Sequence, residues 1–338
     1  MLFSQNSQLI LRHTKKFKTK KVFFFGNIQD NFPEYLSTIE TKINFQKYDD
    51  YKNFKKNNIK KIDVYNRFLV SDEMIKNCDT IIYYWPKNKS EAKFQLINLI
   101  SHFSTQTEIF IVGENSSGIK SAPLILKAWM ELYKIDSAKH SILMSGFLKR
   151  KKKFILDHFF KIHKWKNFFI KSLPGVFGYK KIDEGSKVLA STFSKNITGD
   201  VLDIGCGTGF LSVSLFYYSP NVVMTLVDNN IVALRCAQDT FDFNRLKGKI
   251  ICSDLYSNIF KKFNLIISNP PFHNNLKTNF HIIKKIICDS IKYLKPKGEL
   301  RFVTNSCFSY HDLLTKVFKR YFIMKKTNKY KVYQAFLN

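Results

Sequence analysis

Acidic residues are scarce in this chain. Its 338 residues hold 26 Asp and Glu against 55 Lys and Arg, a formal charge of +29. That balance favours a polyanionic partner, because neutralising phosphates supplies most sequence-independent affinity for nucleic acid. Lys, Asn, Ile and Phe also share A/T-rich codons, so codon drift accounts for part of the lysine excess. Paired cysteines are missing too. Cys78, Cys206, Cys236, Cys252, Cys288 and Cys307 stand far apart, with no C-x-x-C and no histidine at ligand spacing, which argues against a zinc site and predicts no metal. No apolar run approaches the roughly 18 to 20 residues of a membrane helix. The opening "MLFSQNSQLILRHTKKFKTKK" has no uninterrupted apolar core of the kind a secretory leader needs. A cytoplasmic protein with reduced thiols, no membrane contact and nucleic acid as partner is expected.

Apolar, strand-like runs are what the chain has in plenty: 21–26, 78–85, 108–115, 200–205, 222–228, 249–252, 263–268 and 299–305. Longer mixed segments separate them. Residues 277–294 carry Ile282, Ile286, Ile287, Ile291 and Leu294 at helical spacing with lysines between. Strand and helix in alternation predict an α/β fold with a mainly parallel sheet. The halves also echo each other: "DTIIYYWPKNKSEA" from Asp79 matches "NLIISNPPFHNNLK" from Asn264, and further on "EIFIVGEN" from Glu108 matches "ELRFVTNS" from Glu299. Two tandem Rossmann-like domains are therefore expected, a duplicated fold over 1–165 and 166–338, with one chain serving as a monomer. The first copy has "FFFGNIQDNF" after its opening strand, not a glycine-rich turn, so no cofactor is expected there. The joining stretch "LKRKKKFILDHFFKIHKWKNFFIK" interleaves lysines with aromatics. It reads either as an RNA-facing linker or as a connecting strand and helix with solvated lysines.

"VLDIGCGTGFLSVSL" (201–215) reads as strand, turn and helix, with Gly205, Gly207 and Gly209 in the turn. Alternate glycines permit backbone angles closed to other residues and let a ligand approach the main chain. A dinucleotide G-x-G-x-x-G is not met, because Phe210 and Ser212 stand where the final glycine would fall. Asp228 closes the next strand nineteen positions beyond Gly209. There it reads as a fork for two ribose hydroxyls, or as a helix cap.

Sixty-four residues beyond Gly205, a buried strand ends on Asn269-Pro270-Pro271-Phe272. Two prolines end the ladder and leave an amide and carbonyls free to face a ligand; a plain strand-to-helix turn is the simpler reading. His273 follows, as a pocket or an ordinary loop residue.

D-x-G-x-G-x-G together with N-P-P-F resembles the class I S-adenosylmethionine-dependent methyltransferases. Within them the chain is similar, over nearly its full length, to the bacterial family that methylates guanine N2 in small-subunit ribosomal RNA. The latter resemblance rests on residues 79–100, 109–122, 173–192, 201–209, 266–273 and 329–335. It implies S-adenosylmethionine as donor and one guanine of 16S rRNA, conventionally 1207, in the small ribosomal subunit as target. It further implies that only the second copy is active, the first serving as support or in RNA recognition. By resemblance, Asp203 lies near the cofactor's amino group, Asp254 meets the adenine amine, and Phe177 helps close the pocket or simply packs. The Asn269 oxygen and the Pro270 carbonyl would take hydrogen bonds from the target amine and aim its lone pair at the methyl, while Phe272 stacks on the base. Gly178 departs from the family's usual Ser, and the tail after Tyr333 is short. Rival readings are a methyltransferase of protein Gln amides or adenine N6, and an inactive RNA-binding assembly protein of the same fold.

Overall fold

The computed structural model describes residues 3–57, 62–271 and 276–338, with 276–279 as backbone only. It divides into two compact units, Met1–Phe159 and Phe160–Asn338. Among the described residues, no helix is long and apolar enough to cross a membrane.

Unit 1 holds strands β1 (Lys21–Gly26), β2 (Glu40–Asn44), β3 (Asp63–Tyr65), β4 (Thr80–Tyr84), β5 (Glu108–Glu114), β6 (Tyr133–Ala138) and β7 (Ser141–Phe147). They lie in the order 3-2-1-4-5-7-6, parallel except where β7 pairs with β5 and β6. "VFFF" in β1 is the run expected of a central strand covered on both faces. Phe23 and Phe25 enter one core with Ile81 and Tyr83. Val22 and Phe24 enter the other with Ile43, Ile82 and Tyr84. Each phenylalanine is exposed by 1% or less and stabilises the fold by about 2 kcal/mol.

Unit 2 opens with a hairpin of β8 (Lys161–Trp165) and β9 (Phe168–Ser172). The basic joining stretch thus ends in two strands, after a short turn of helix at Leu156–Phe159. Its second strand is pinned to the helix Ile231–Phe243 and the residue after it. Phe169 N donates to Asn244 Oδ1 at 2.9 Å and Lys171 N to Thr240 Oγ1 at 3.0 Å. Then follow β10 (Gly199–Ile204), β11 (Val222–Asp228), β12 (Gly248–Cys252), β13 (Phe263–Ser268), β14 (Leu294–Asn305), β15 (Arg320–Lys326) and β16 (Tyr330–Phe336). Their order is 12-11-10-13-14-16-15, which is the first order with nine added to every label. The helix Leu276–Tyr293 buries Ile283, Ile286 and Ile287, whereas Ile291, expected on its inner face, is exposed.

Strand register makes the duplication exact residue by residue. Val22 pairs with Thr80, Thr80 with Glu108 and Glu108 with Phe147. Val201 pairs with Leu265, Leu265 with Glu299 and Glu299 with Phe336. Continuing along the strands, Gly205 corresponds to Gly26 and Asn269 to Tyr84. Thr41 and Met224 are the β2 and β11 partners of Val22 and Val201, so Asp228 corresponds to Phe45.

Candidate active site

The glycine turn after β10 is held from below. Gly205 N and Cys206 N both donate to Val227 O, at 2.9 and 3.0 Å, and Gly207 N donates to Asp228 Oδ2 at 2.9 Å. All three glycines take left-handed angles, φ +70°, +55° and +78°, a conformation that costs other residues about 1–2 kcal/mol. Their surroundings differ. A Cβ on Gly205 or Gly207 would meet nothing within 4 Å, whereas one on Gly209 would touch Phe241 and Ala237 at 3.4–3.5 Å. The first two keep a cleft open, and the third lets the helix Phe210–Tyr218 approach its neighbour.

The carboxyls expected to serve the cofactor fall at different depths. Asp228 is half-buried at the end of β11; its Oδ1 accepts from Asn230 N at 2.8 Å while Oδ2 holds Gly207. Burial raises its pKa, against those backbone bonds. Asp203 lies wholly buried beneath the turn, where Oδ2 accepts from Ser212 Oγ at 2.6 Å. Burial pushes its carboxyl up to about 7; the Ser212 bond opposes this and the nearby Asp228 charge adds to it. Asp254 is half-buried in the turn after β12, 3.8 Å from Lys285 Nζ.

Gly205, Gly207, Phe177 and Asn269 meet around one cleft, which Asp183 and Ser186 also line. Asp203, Gly209, Asp228 and Asp254 stand outside its lining. Phe177 is 54% exposed at the rim, and Pro270 is buried at the end of β13. Phe272 and His273 lie outside the described residues.

Asn269 is the most constrained group here. Its Nδ2 donates to Asp183 Oδ2 at 2.9 Å and to Ser186 Oγ at 2.7 Å. Both amide protons are consumed, and Oδ1 is left buried without a partner among the described residues. A buried orphan acceptor costs about 1–3 kcal/mol, and this one belongs to a residue that lines the cleft. Asp183 and Ser186 belong to the start of the helix Glu184–Ala190, where Asp183 Oδ2 also caps Ser186 N at 2.8 Å. Sequence reading missed both residues. The available signal was the match of D-x-x-S at 183–186 to S-x-x-S at 4–7, 179 positions earlier.

The Methyltransferase small domain model matches residues 167–334, and the Methyltransferase small domain N-terminal model matches 7–163. Ribosomal RNA small subunit methyltransferase C of Buchnera aphidicola subsp. Acyrthosiphon pisum (strain APS) is 66% identical, covering 99% of each chain. The chain belongs to the ribosomal RNA small subunit methyltransferase C family. A more distant member, from Erwinia tasmaniensis, is 37% identical over 98% of this chain and 97% of its own. The T. Thermophilus 16S rRNA N2 G1207 methyltransferase, solved with AdoMet and guanosine, shares the fold of both units. Its TM-score is 0.82 at 15% identity, covering 99% of this chain and 92% of that one.

Proposed function

We propose that this protein transfers a methyl group from S-adenosylmethionine to the exocyclic N2 of one guanine of 16S rRNA, the position numbered 1207 in the name of its T. Thermophilus relative. The observation that carries this reading is the buried, unpartnered Oδ1 of Asn269, a residue that lines the same cleft as Gly205 and Gly207. An exocyclic guanine amine is a poor nucleophile because its lone pair is delocalised into the ring. A hydrogen bond from its N–H to Asn269 Oδ1, with the Pro270 carbonyl as second acceptor, draws the nitrogen toward tetrahedral geometry and turns its lone pair outward. The family resemblance, not the structure, gives Phe272 the stacking contact with the extruded base.

The residues present fit the donor. Two open glycines let it lie against the main chain, Phe177 closes the rim, and Asp228 offers carboxylate lone pairs to ribose hydroxyls, with Asp254 for the adenine amine and Asp203 behind the turn for the amino end. When bound, S-adenosylmethionine supplies a methyl on a sulfonium: the amine's lone pair takes it, the carbon–sulfur pair stays with sulfur, and the nitrogen sheds one proton to water. The protein supplies position and electrostatics, with no strong base required.

The substrate is the small ribosomal subunit or its RNA, met in the cytoplasm by a monomer. The formal charge of +29 supports an RNA partner, and two copies of the fold within one chain support the monomer. The test is transfer from labelled S-adenosylmethionine to unmethylated 16S rRNA and to small subunits, with the labelled nucleotide mapped. Label on N2 of one guanine is expected. Label absent from RNA but present on a protein Gln amide would overturn the assignment, because an amide nitrogen fits the same Asn-Pro-Pro cap.

A further inference from the structure

We propose that Asp183 is a positioning residue for this reaction: its carboxylate fixes the orientation of the Asn269 amide and raises the acceptor strength of the Oδ1 that faces the target amine. The inference rests on the reading of Asn269 as the amine's acceptor. Reversing the amide would set Oδ1 against Asp183 Oδ2, repelling it, and would turn an N–H toward the cleft. The bond from Nδ2 to Asp183 at 2.9 Å allows only the productive orientation. It is also charge-assisted, and such bonds are about twice as strong as neutral ones. Pulling on the Nδ2 proton shifts amide electron density to Oδ1, and hydrogen bonds in series reinforce each other this way. The benefit grows during reaction. As the nitrogen lone pair forms the new bond and the nitrogen becomes positive, a fixed negative charge lies one amide group away.

The first copy of the fold separates this role from scaffolding. Its helix Gln5–Leu11 is the counterpart of Glu184–Ala190, with Ser4 in place of Asp183 and Ser7 in place of Ser186. Ser7 Oγ lies 2.9 Å from Tyr84 OH, the counterpart of Asn269, and Ser4 Oγ caps Ser7 N at 3.3 Å. The serine pin from helix to strand end and the helix cap are therefore kept without Asp183 and without Asn269. The first copy also sets a carboxylate at this helix start, Asp30, whose Oδ1 accepts from Ser7 Oγ at 2.9 Å and whose Oδ2 accepts from Ser4 N at 2.6 Å, but it has no amide there. What the second copy adds is an amide whose Nδ2 donates directly to the carboxylate of the helix cap.

The test is Asp183→Asn, which keeps a competent helix cap and an acceptor for Nδ2 but removes the charge. Expected is a fall in kcat of about tenfold, with KM for RNA and the cofactor dissociation constant within about twofold. In an Asn269→Ala background the same change should cost nothing further, because its route is gone. Wild-type kcat in Asp183→Asn, or an equal loss with and without Asn269, would overturn the proposal. Asn269→Ala that retains full activity would instead overturn the reading beneath it. Asp183→Ser, the residue the first copy uses, is a second variant should the first fold poorly. Independently of any variant's activity, both side-chain amide protons of Asn269 should resonate downfield in the cofactor-free protein. A resonance typical of a solvent-exposed asparagine would equally sink the idea.

Discussion

Asp228 grips the main chain of the turn it faces: its Oδ2 takes the Gly207 amide at 2.9 Å. A carboxylate read from sequence as a ribose fork is thus also a brace for the loop that would carry the ligand. Asp228→Ala should weaken S-adenosylmethionine binding by more than about tenfold, since lost ligand bonds and a loosened turn act together. It should also lower the melting temperature of the protein without cofactor. Calorimetric titration beside thermal unfolding checks both; unchanged affinity would place the ribose elsewhere.

Asn269→Ala should behave in the opposite way. Its contact is with the target amine, so methyl transfer should fall by at least about a hundredfold while cofactor affinity stays within a few-fold. Single-turnover transfer combined with a cofactor titration separates the two. A large loss of cofactor binding would show that Asn269 serves the donor.

Asp203 should make stability depend on pH. Its carboxyl is pushed from the ordinary 3.8 up to about 7 by burial. Between those values the unfolded chain has released a proton that the folded chain still holds. Its contribution to stability therefore falls as pH rises through that window and is level above about 7. Asp203→Asn is neutral throughout and can keep the Ser212 bond at 2.6 Å. Relative to wild type, the variant should gain on the order of a few kcal/mol between pH 4 and pH 7. Urea unfolding at pH 4, 5.5 and 7 reads this; a constant difference would mean that the folded protein carries Asp203 ionised.

Two glycines, one in each copy's first strand-end turn, should fail in different ways. At Gly207 a Cβ meets nothing within 4 Å, so Gly207→Ala should cost only the strain of its φ of +55°, about 1–2 kcal/mol, yet obstruct cofactor entry. At Gly26, the counterpart of Gly205, a Cβ would sit 2.1 Å from Tyr84 O. Gly26→Ala should therefore destabilise the protein severely and lower soluble yield. Denaturant midpoints with and without cofactor distinguish the two outcomes.

Much of this was legible along the chain because central strands announce themselves. β1, β11 and β13 coincide with the apolar runs 21–26, 222–228 and 263–268, since a strand covered on both faces is apolar at nearly every position. Of the edge strands only β12 gave such a signal, in the run 249–252. β15 is exposed along almost its whole length and β3 has no buried residue, so neither carries a hydrophobic pattern. The match of Asp79 with Asn264 agrees with the strand pairing because register depends on the same alternation that reveals the strands. Asp183 and Ser186 escaped notice for a different reason. They act on a residue 86 and 83 positions away, and a local pattern can show a helix cap but not the distant amide it grips.

Where unit 2 has Asp228 and Asn269, unit 1 has the buried Phe45 and Tyr84, and Tyr84 finds its partner within its own chain in Ser7. At these two positions unit 1 closes on itself, while unit 2 keeps, in Asn269 Oδ1, an acceptor without a partner among the described residues. Their energetic fates diverge once a guest arrives. Ligand binding adds to the stability of whatever folds around it by the logarithm of one plus the ratio of ligand concentration to Kd, so saturating S-adenosylmethionine should slow hydrogen exchange through β10, β11 and β13. The amides of β1, β2 and β4 should keep the protection they already have.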